Sequence, residues 1–193
     1  KGLEMKNYRE DILNNFIERY EKSSYYKGKS LKPQKSSIVL HERYPQYGQS
    51  RYPEVLEKIE DVVLQLEKDD LIQFAKGSIE GNRKLIFVPT EERVSKIYQE
   101  LDRTPLKEKR NQYLNCLKMY ELDSFFKDFQ IAMEEKVFNY ESVSPYLKVY
   151  DQEDLKNVMK ILQGMKNQEE EISFRKFSEK VLGDTKKLEK YKN

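Results

Sequence analysis

Side chains able to do covalent chemistry are scarce in this sequence. It holds one cysteine, Cys116, and one histidine, His41. A Cys/His zinc site is therefore excluded, and a thiol–imidazole pair would have to join residues far apart in the chain. Cys116 lies in an apolar helical pattern, the usual setting of a buried thiol. Gly77 and Gly81 lack the Gly-Lys-Ser/Thr that follows a phosphate-cradling loop, and no Gly-x-Gly-x-x-Gly occurs. Carboxylates are abundant, but almost all alternate with lysines on expected outer faces, and none forms the tight acidic group after a strand that a magnesium site needs. No catalytic residue, metal ligand or cofactor is expected of this chain.

What remains is electrostatics. With 36 Lys and Arg against 34 Asp and Glu the net charge is only +2, so attraction to nucleic acid must come from local segregation. Between Lys22 and Arg51 seven basic residues face one acidic residue, Glu42, with Tyr25, Tyr26, Tyr44 and Tyr47 among them. Basic residues mixed with aromatics suit a site that tracks a phosphate backbone, and a solvated connection is the equally weighted plain reading. Lys27, Lys29, Lys32 and Lys35 are the candidate contacts here, joined further on by Lys76, Arg83 and Lys84. From Glu54 to Asp70 the sign reverses, with seven carboxylates against two lysines. Such a helix would be repelled from a major groove, whose phosphates lie within a Debye length of about 8–10 Å. Glu57, Glu60 and Asp61 are accordingly candidates for binding a protein partner.

These residues need elements to position them. Tyr8, Ile12, Leu13, Phe16, Ile17 and Tyr20 recur on a helical period over about 8–22, and a short helix is expected near Val39 to Tyr44. Pro53 opens the central helix, whose Val55, Ile59, Val62, Val63 and Leu66 line one face. Two β-rich runs within 71–88, separated by a glycine-bearing tip, read as a hairpin. A helix leading into a hairpin suggests a winged helix, with 22–51 as a basic loop. Thr90 caps the next helix, and Arg103-Thr104-Pro105 marks a domain boundary.

Beyond the boundary the pattern is helical. Helices are expected over Leu106 to about Glu121, near Asp123 to Asn139, from Asp151 through Met165, and from Ser173 to a left-handed end at Gly183. Phe125, Phe126, Phe129, Met133, Val137 and Phe138 form a broad aromatic stripe that reads as core. Tyr146–Tyr150 is either a short strand or an extended connector. The fold class is thus mainly α with a small β-hairpin (α+β): a winged-helix-like domain over 1–103, then a helical domain over 104–193. No apolar run approaches the roughly 20 residues of a membrane span, and the single cysteine fits a reducing, cytoplasmic setting.

Two stretches carry a family resemblance. Ile12-Leu13-Asn14-Asn15-Phe16-Ile17-Glu18-Arg19-Tyr20-Glu21-Lys22-Ser23, followed by Tyr26-Lys27-Gly28, resembles the start of JetD-like proteins, the nuclease component of Wadjet defence systems, especially divergent members from low-GC Gram-positive bacteria. Phe177-Ser178-Glu179-Lys180-Val181-Leu182-Gly183-Asp184-Thr185-Lys186-Lys187-Leu188-Glu189 resembles the segment that leads into the family's catalytic half, with Thr185 where a serine is expected. The resemblance implies a relative of type IIB topoisomerase A subunits, with a Toprim domain whose acidic residues bind Mg²⁺ and cleave DNA, acting with an SMC-like complex against plasmids and phages. None of those acidic residues maps onto this chain, which is expected to stop before that domain. What the resemblance carries over is a non-catalytic N-terminal arm contacting duplex DNA without base readout. The alternative is an arm that docks an SMC-like partner or another copy of itself. A stand-alone transcriptional regulator is a third reading, opposed by the acidic helix.

Overall fold

The computed structural model describes residues 7–122 and 124–192. The chain is mainly helical with one small antiparallel sheet, and it divides into two compact units, 1–104 and 105–193. Among the described residues no helix is long and apolar enough to cross a membrane.

Unit 1 runs α1 (Tyr8–Lys22), β1 (Ser36–Val39), α2 (Leu40–Arg43), α3 (Pro53–Lys68), β2 (Gln73–Phe74), β3 (Lys84–Phe87) and α4 (Glu91–Glu100). The Asn7 side chain accepts from the Glu10 amide to cap α1, Pro53 starts α3, and the Thr90 hydroxyl accepts from the Arg93 amide to cap α4. Each of these satisfies or removes an amide that the first helical turn would leave unpaired.

β3 lies between β1 and β2, antiparallel to both. Ser36 faces Phe87 and Val39 faces Lys84, while Phe74 faces Leu85. The strand β1 is a correction to the expected 22–51 loop. Ser-Ser-Ile-Val is too short to show alternation, and it becomes a strand because β3 offers it a free edge.

The core of unit 1 gathers Ile12, Leu13, Phe16 and Ile17 of α1, Ile59, Val63 and Leu66 of α3, and Leu85 and Phe87 of β3, all fully buried. At about 1.5–3 kcal/mol per large apolar side chain, these residues dominate the unit's stability. Phe16 and Phe87 set their rings 5.3 Å apart, which joins α1 to the sheet.

Unit 2 contains α5 (Leu106–Lys118), α6 (Ser124–Phe138), α7 (Gln152–Lys166), α8 (Phe174–Leu182) and a 3-10 turn at Lys187–Tyr191. Asp123, where the second of these helices was expected to open, lies outside the described residues. Asp151 and Ser173 cap α7 and α8 with their side chains, and Gly183 ends α8 at φ 70°. Tyr113, Leu117, Met133, Val137, Leu155 and Met159 form the core, with Cys116 packed against it.

Two expectations change here. Phe125 and Phe138 are 82% and 59% exposed, so the aromatic stripe of α6 is only partly core. Its buried side is narrower than the sequence suggests because Gln130 occupies it. The Gln130 amide donates to the Leu117 and Tyr120 carbonyls, both at 2.8 Å, and so closes the end of α5. Of the strand and connector readings of 146–150, no strand forms: turn at 146 and at 149–150 flanks irregular backbone at 147–148.

Candidate nucleic-acid interface

The candidate cations of unit 1 do not share one surface. Lys76, Arg83 and Lys84 belong to the hairpin that carries β2 and β3, at the Val39–Lys84 end of the sheet. Lys35 immediately precedes Ser36 at the other end. Four residue steps separate the Lys35 and Lys84 rungs, about 13 Å at ~3.3 Å per residue. Lys27, Lys29 and Lys32 lie in the 23–35 connection that ends at Lys35. The single positive side expected from loop and wing together is therefore two separate groups.

Arg83 is a correction of substance. Its guanidinium Nε donates to Glu60 Oε2 at 2.6 Å, and its side chain lies over the Phe74 ring, 4.4 Å from the centroid. Only 14% of the Arg83 side chain is exposed, so it is not available to a phosphate. Glu60 is corrected with it: expected as a partner-facing carboxylate, it is 5% exposed. Glu60 Oε1 accepts from the Gly81 amide at 3.2 Å and from the Tyr47 hydroxyl. Burial, and then this carboxylate, push the Tyr47 hydroxyl well above the usual tyrosine range.

The Glu60 network ties α3 and the loop before it to the β2–β3 hairpin. Gly48 completes the attachment, since it holds φ +79° and a Cβ there would collide with the Gly81 carbonyl oxygen. Only glycine combines that left-handed backbone with so close an approach. Beside this junction lies a cleft lined by Glu57, Glu60, Asp61 and Glu80 together with Arg83. Glu57 and Asp61 are exposed, as is Leu64 at 45%. Lys76 and Lys84 are exposed and make no ion pair among the described residues.

At the opposite end Lys29, Lys32 and Lys35 are exposed and Lys27 is half-buried, and none makes an ion pair among the described residues. Tyr26 packs edge-on against Tyr20 with centroids 5.2 Å apart, so the connection is seated on the end of α1. Burial, with smaller contributions from Tyr25 and Glu91, raises the Tyr20 hydroxyl. A cleft of about 300 Å³ opens here, lined by Arg19, Lys22, Gln34 and Lys35 with Ser23 and Ser36. Arg19 was read only as a polar residue interleaved on the first helix, and Lys22 was counted in the basic 22–51 stretch but not among the candidate contacts. Their place in the last helical turn, just ahead of a basic connection, was the signal available in the sequence.

The arginines of unit 1 share a pattern that the sequence hides. Arg43 grips Asp11 with two bonds of 2.9 and 2.8 Å, and Tyr44 donates to the same carboxylate. Arg103 donates to the buried Glu21 at 2.6 Å, where Tyr98 also donates at 2.8 Å. Arg9 joins Asp69 and Glu100, and Arg93 joins Asp70. Arginine suits such paired, partly buried positions because its planar fork matches a carboxylate. Lysine is left to carry the solvent-facing charge.

No group of three or more His, Cys, Asp or Glu side chains that could hold a metal ion occurs among the described residues. His41 is exposed on α2 of unit 1, while Cys116 belongs to the packing of unit 2. Comparison with protein-family models, with characterised proteins and with solved structures finds no match.

Proposed function

We propose that unit 1 is a winged helix that holds the phosphate backbone of duplex DNA without reading bases, and that the chain is the non-catalytic N-terminal region of a JetD-like DNA-cleaving defence protein. The helix, strand, helix, helix, strand, strand order with β3 in the middle of the sheet supports the winged-helix assignment. The observation that carries the DNA reading is the set of lysines Lys27, Lys29, Lys32 and Lys35, without ion pairs among the described residues, in the connection that ends at the Ser36 end of the sheet, away from Glu57, Glu60 and Asp61 beside Arg83. Lys76 and Lys84 make a lesser, separate contribution at the wing. The mechanism is charge neutralisation with release of counterions, which requires no groove-reading helix.

Titration of two labelled duplexes of unrelated sequence at several salt concentrations tests this. Equal affinities that fall with salt at a log–log slope of about 3–4, as four phosphate contacts give, are expected. Absence of binding at low salt, or affinity indifferent to salt, removes the proposal. No cutting is assigned to this chain, so plasmid incubated with it and Mg²⁺ stays intact; nicking that copurifies with the protein and is absent from a blank preparation would overturn that assignment. A cytoplasmic location belongs to the same reading.

A second reading has its own support. Leu64 stands half-exposed on α3 near Glu57 and Asp61, a mixture suited to a basic, apolar protein surface on an SMC-like subunit or on another copy of the chain. Reversing Glu57 and Asp61 to lysine should then abolish association with a purified SMC-like subunit, or self-association seen by sedimentation, while leaving duplex binding in place. Association that survives the reversal excludes this surface.

A further inference from the structure

The structure assigns a phosphate seat to the cleft between the C-terminal turn of α1 and the start of β1, formed by Arg19, Lys22 and Lys35. This goes beyond the duplex-binding proposal by naming where one backbone phosphate is anchored, and it rests on that proposal only for the identity of the phosphate's owner. The cleft, of about 300 Å³, has room for a phosphodiester group and its waters. Three cations line it together with Ser23, Gln34 and Ser36, and no carboxylate does. The wing-side cleft of similar size, about 350 Å³, has four carboxylates and one arginine in its wall.

Two of the nearby acids are engaged elsewhere. Glu21 is buried beneath Tyr98 and Arg103, and Glu18 lies 3.9 Å from Arg103. Glu91 acts on the Tyr20 hydroxyl but does not line the cleft. The carbonyl end of α1 contributes a partial negative charge of about one half. Three full positive charges outweigh it.

The three cations have different roles. Arg19 donates to the Ser37 carbonyl at 2.6 Å, so its guanidinium is held in place at the cleft wall. Lys22 and Lys35 make no ion pair among the described residues and approach from the helix side and the strand side. A phosphate entering between them would meet ammonium groups from both walls, with the Ser36 hydroxyl on the lining as a further donor; the Ser23 hydroxyl already donates to the Tyr20 carbonyl at 2.6 Å. The recognised chemistry is the phosphate itself, with no contact that could read a base.

The test uses the full chain labelled with ¹⁵N and titrated with inorganic phosphate, alongside duplex titrations of the wild type and of a Lys22→Ala/Lys35→Ala variant. Phosphate is expected to shift the Ser23, Lys35 and Ser36 amides in the wild type and not in the variant. The variant should lose about one unit of salt slope, as the loss of one phosphate contact gives, and bind duplex roughly tenfold more weakly at low salt, whereas Lys76→Ala/Lys84→Ala should change both less. Amides that do not respond to phosphate, or respond equally in the variant, overturn the seat. If they respond while the wild type ignores duplex, the seat stands and the duplex proposal falls. If duplex binds with an unchanged slope in the variant, the seat falls and the duplex proposal stands.

Discussion

The two ends of the three-stranded sheet put their cationic side chains to opposite effect. At the hairpin, Arg83 is locked onto Glu60 in a cleft wall that also holds Glu57, Asp61 and Glu80. At the loop end, Lys22 and Lys35 enter a cleft that no carboxylate lines. What separates the two ends is partnership as well as the amount of positive charge. A cation already paired inside the fold contributes stability and little outward field, whereas an unpaired one at the surface contributes field and little stability.

The strongest way to break this contrast is Glu60→Ala. It leaves the Arg83 guanidinium, the Tyr47 hydroxyl and the Gly81 amide without their acceptor, a loss of about 3–5 kcal/mol for a buried pair broken on one side. Urea unfolding of the full chain should show it, and a loss below about 1 kcal/mol would mean that the wing junction is not held by this carboxylate. Lys35→Ala in the same assay should stay within about 0.5 kcal/mol of wild type. Next comes Gly48→Ala, expected to cost about 1–3 kcal/mol because it demands a left-handed alanine against a fixed carbonyl. Hydrogen exchange should quicken first at the wing amides, and unaltered protection there would contradict the junction.

A subtler probe reverses the exposed acids of the wing end. Glu57→Lys with Asp61→Lys should change duplex affinity by less than about twofold if only the loop end comes within a Debye length of DNA. A tenfold gain would bring the wing to the DNA and erase the distinction between the two ends. The smallest effect is in pH. The folded state raises the Tyr47 hydroxyl above its ordinary value through burial and the Glu60 carboxylate, so it binds this proton more tightly than the unfolded chain does. That contribution is complete below about pH 10 and declines as pH rises toward the folded pKa. Tyr47→Phe should therefore lose less stability than wild type between about pH 9.5 and 10, by roughly a few tenths of a kcal/mol; parallel curves would detach Tyr47 from the titration.

Most helices were legible because their period, caps and apolar faces agree along the chain, as Thr90 and Asp151 illustrate. The hairpin over 71–88 was legible as two β-rich runs around glycines, and β2 and β3 lie within it. β1 was not, since its pairing partner lies almost fifty residues away and four residues set no pattern of their own. Phe125 and Phe138 misled because a helical stripe shows which residues share a side, not how much of that side another helix covers.

The candidate site was legible in its residue types and not in its geometry. Lys27, Lys29, Lys32 and Lys35 could be picked out as an excess of charge, but counting charges gave Arg83 and Glu60 outward roles. Their pairing across 23 residues is invisible until α3 and the wing are packed together. Arg19 and Lys22 were passed over for the complementary reason, because a helix end and a distant strand start become neighbours only in the folded unit.

Six of the seven arginines in unit 1 are tied to acceptors within it, while the lysines at both ends of the sheet remain solvent-facing. Acylating reagents, and enzymes that acetylate primary amines, react with ammonium side chains and spare guanidinium groups. Such a modification would erase the molecule's outward polarity while the internal clasps stayed chemically intact, making this a scaffold whose adhesion could be switched off without being dismantled.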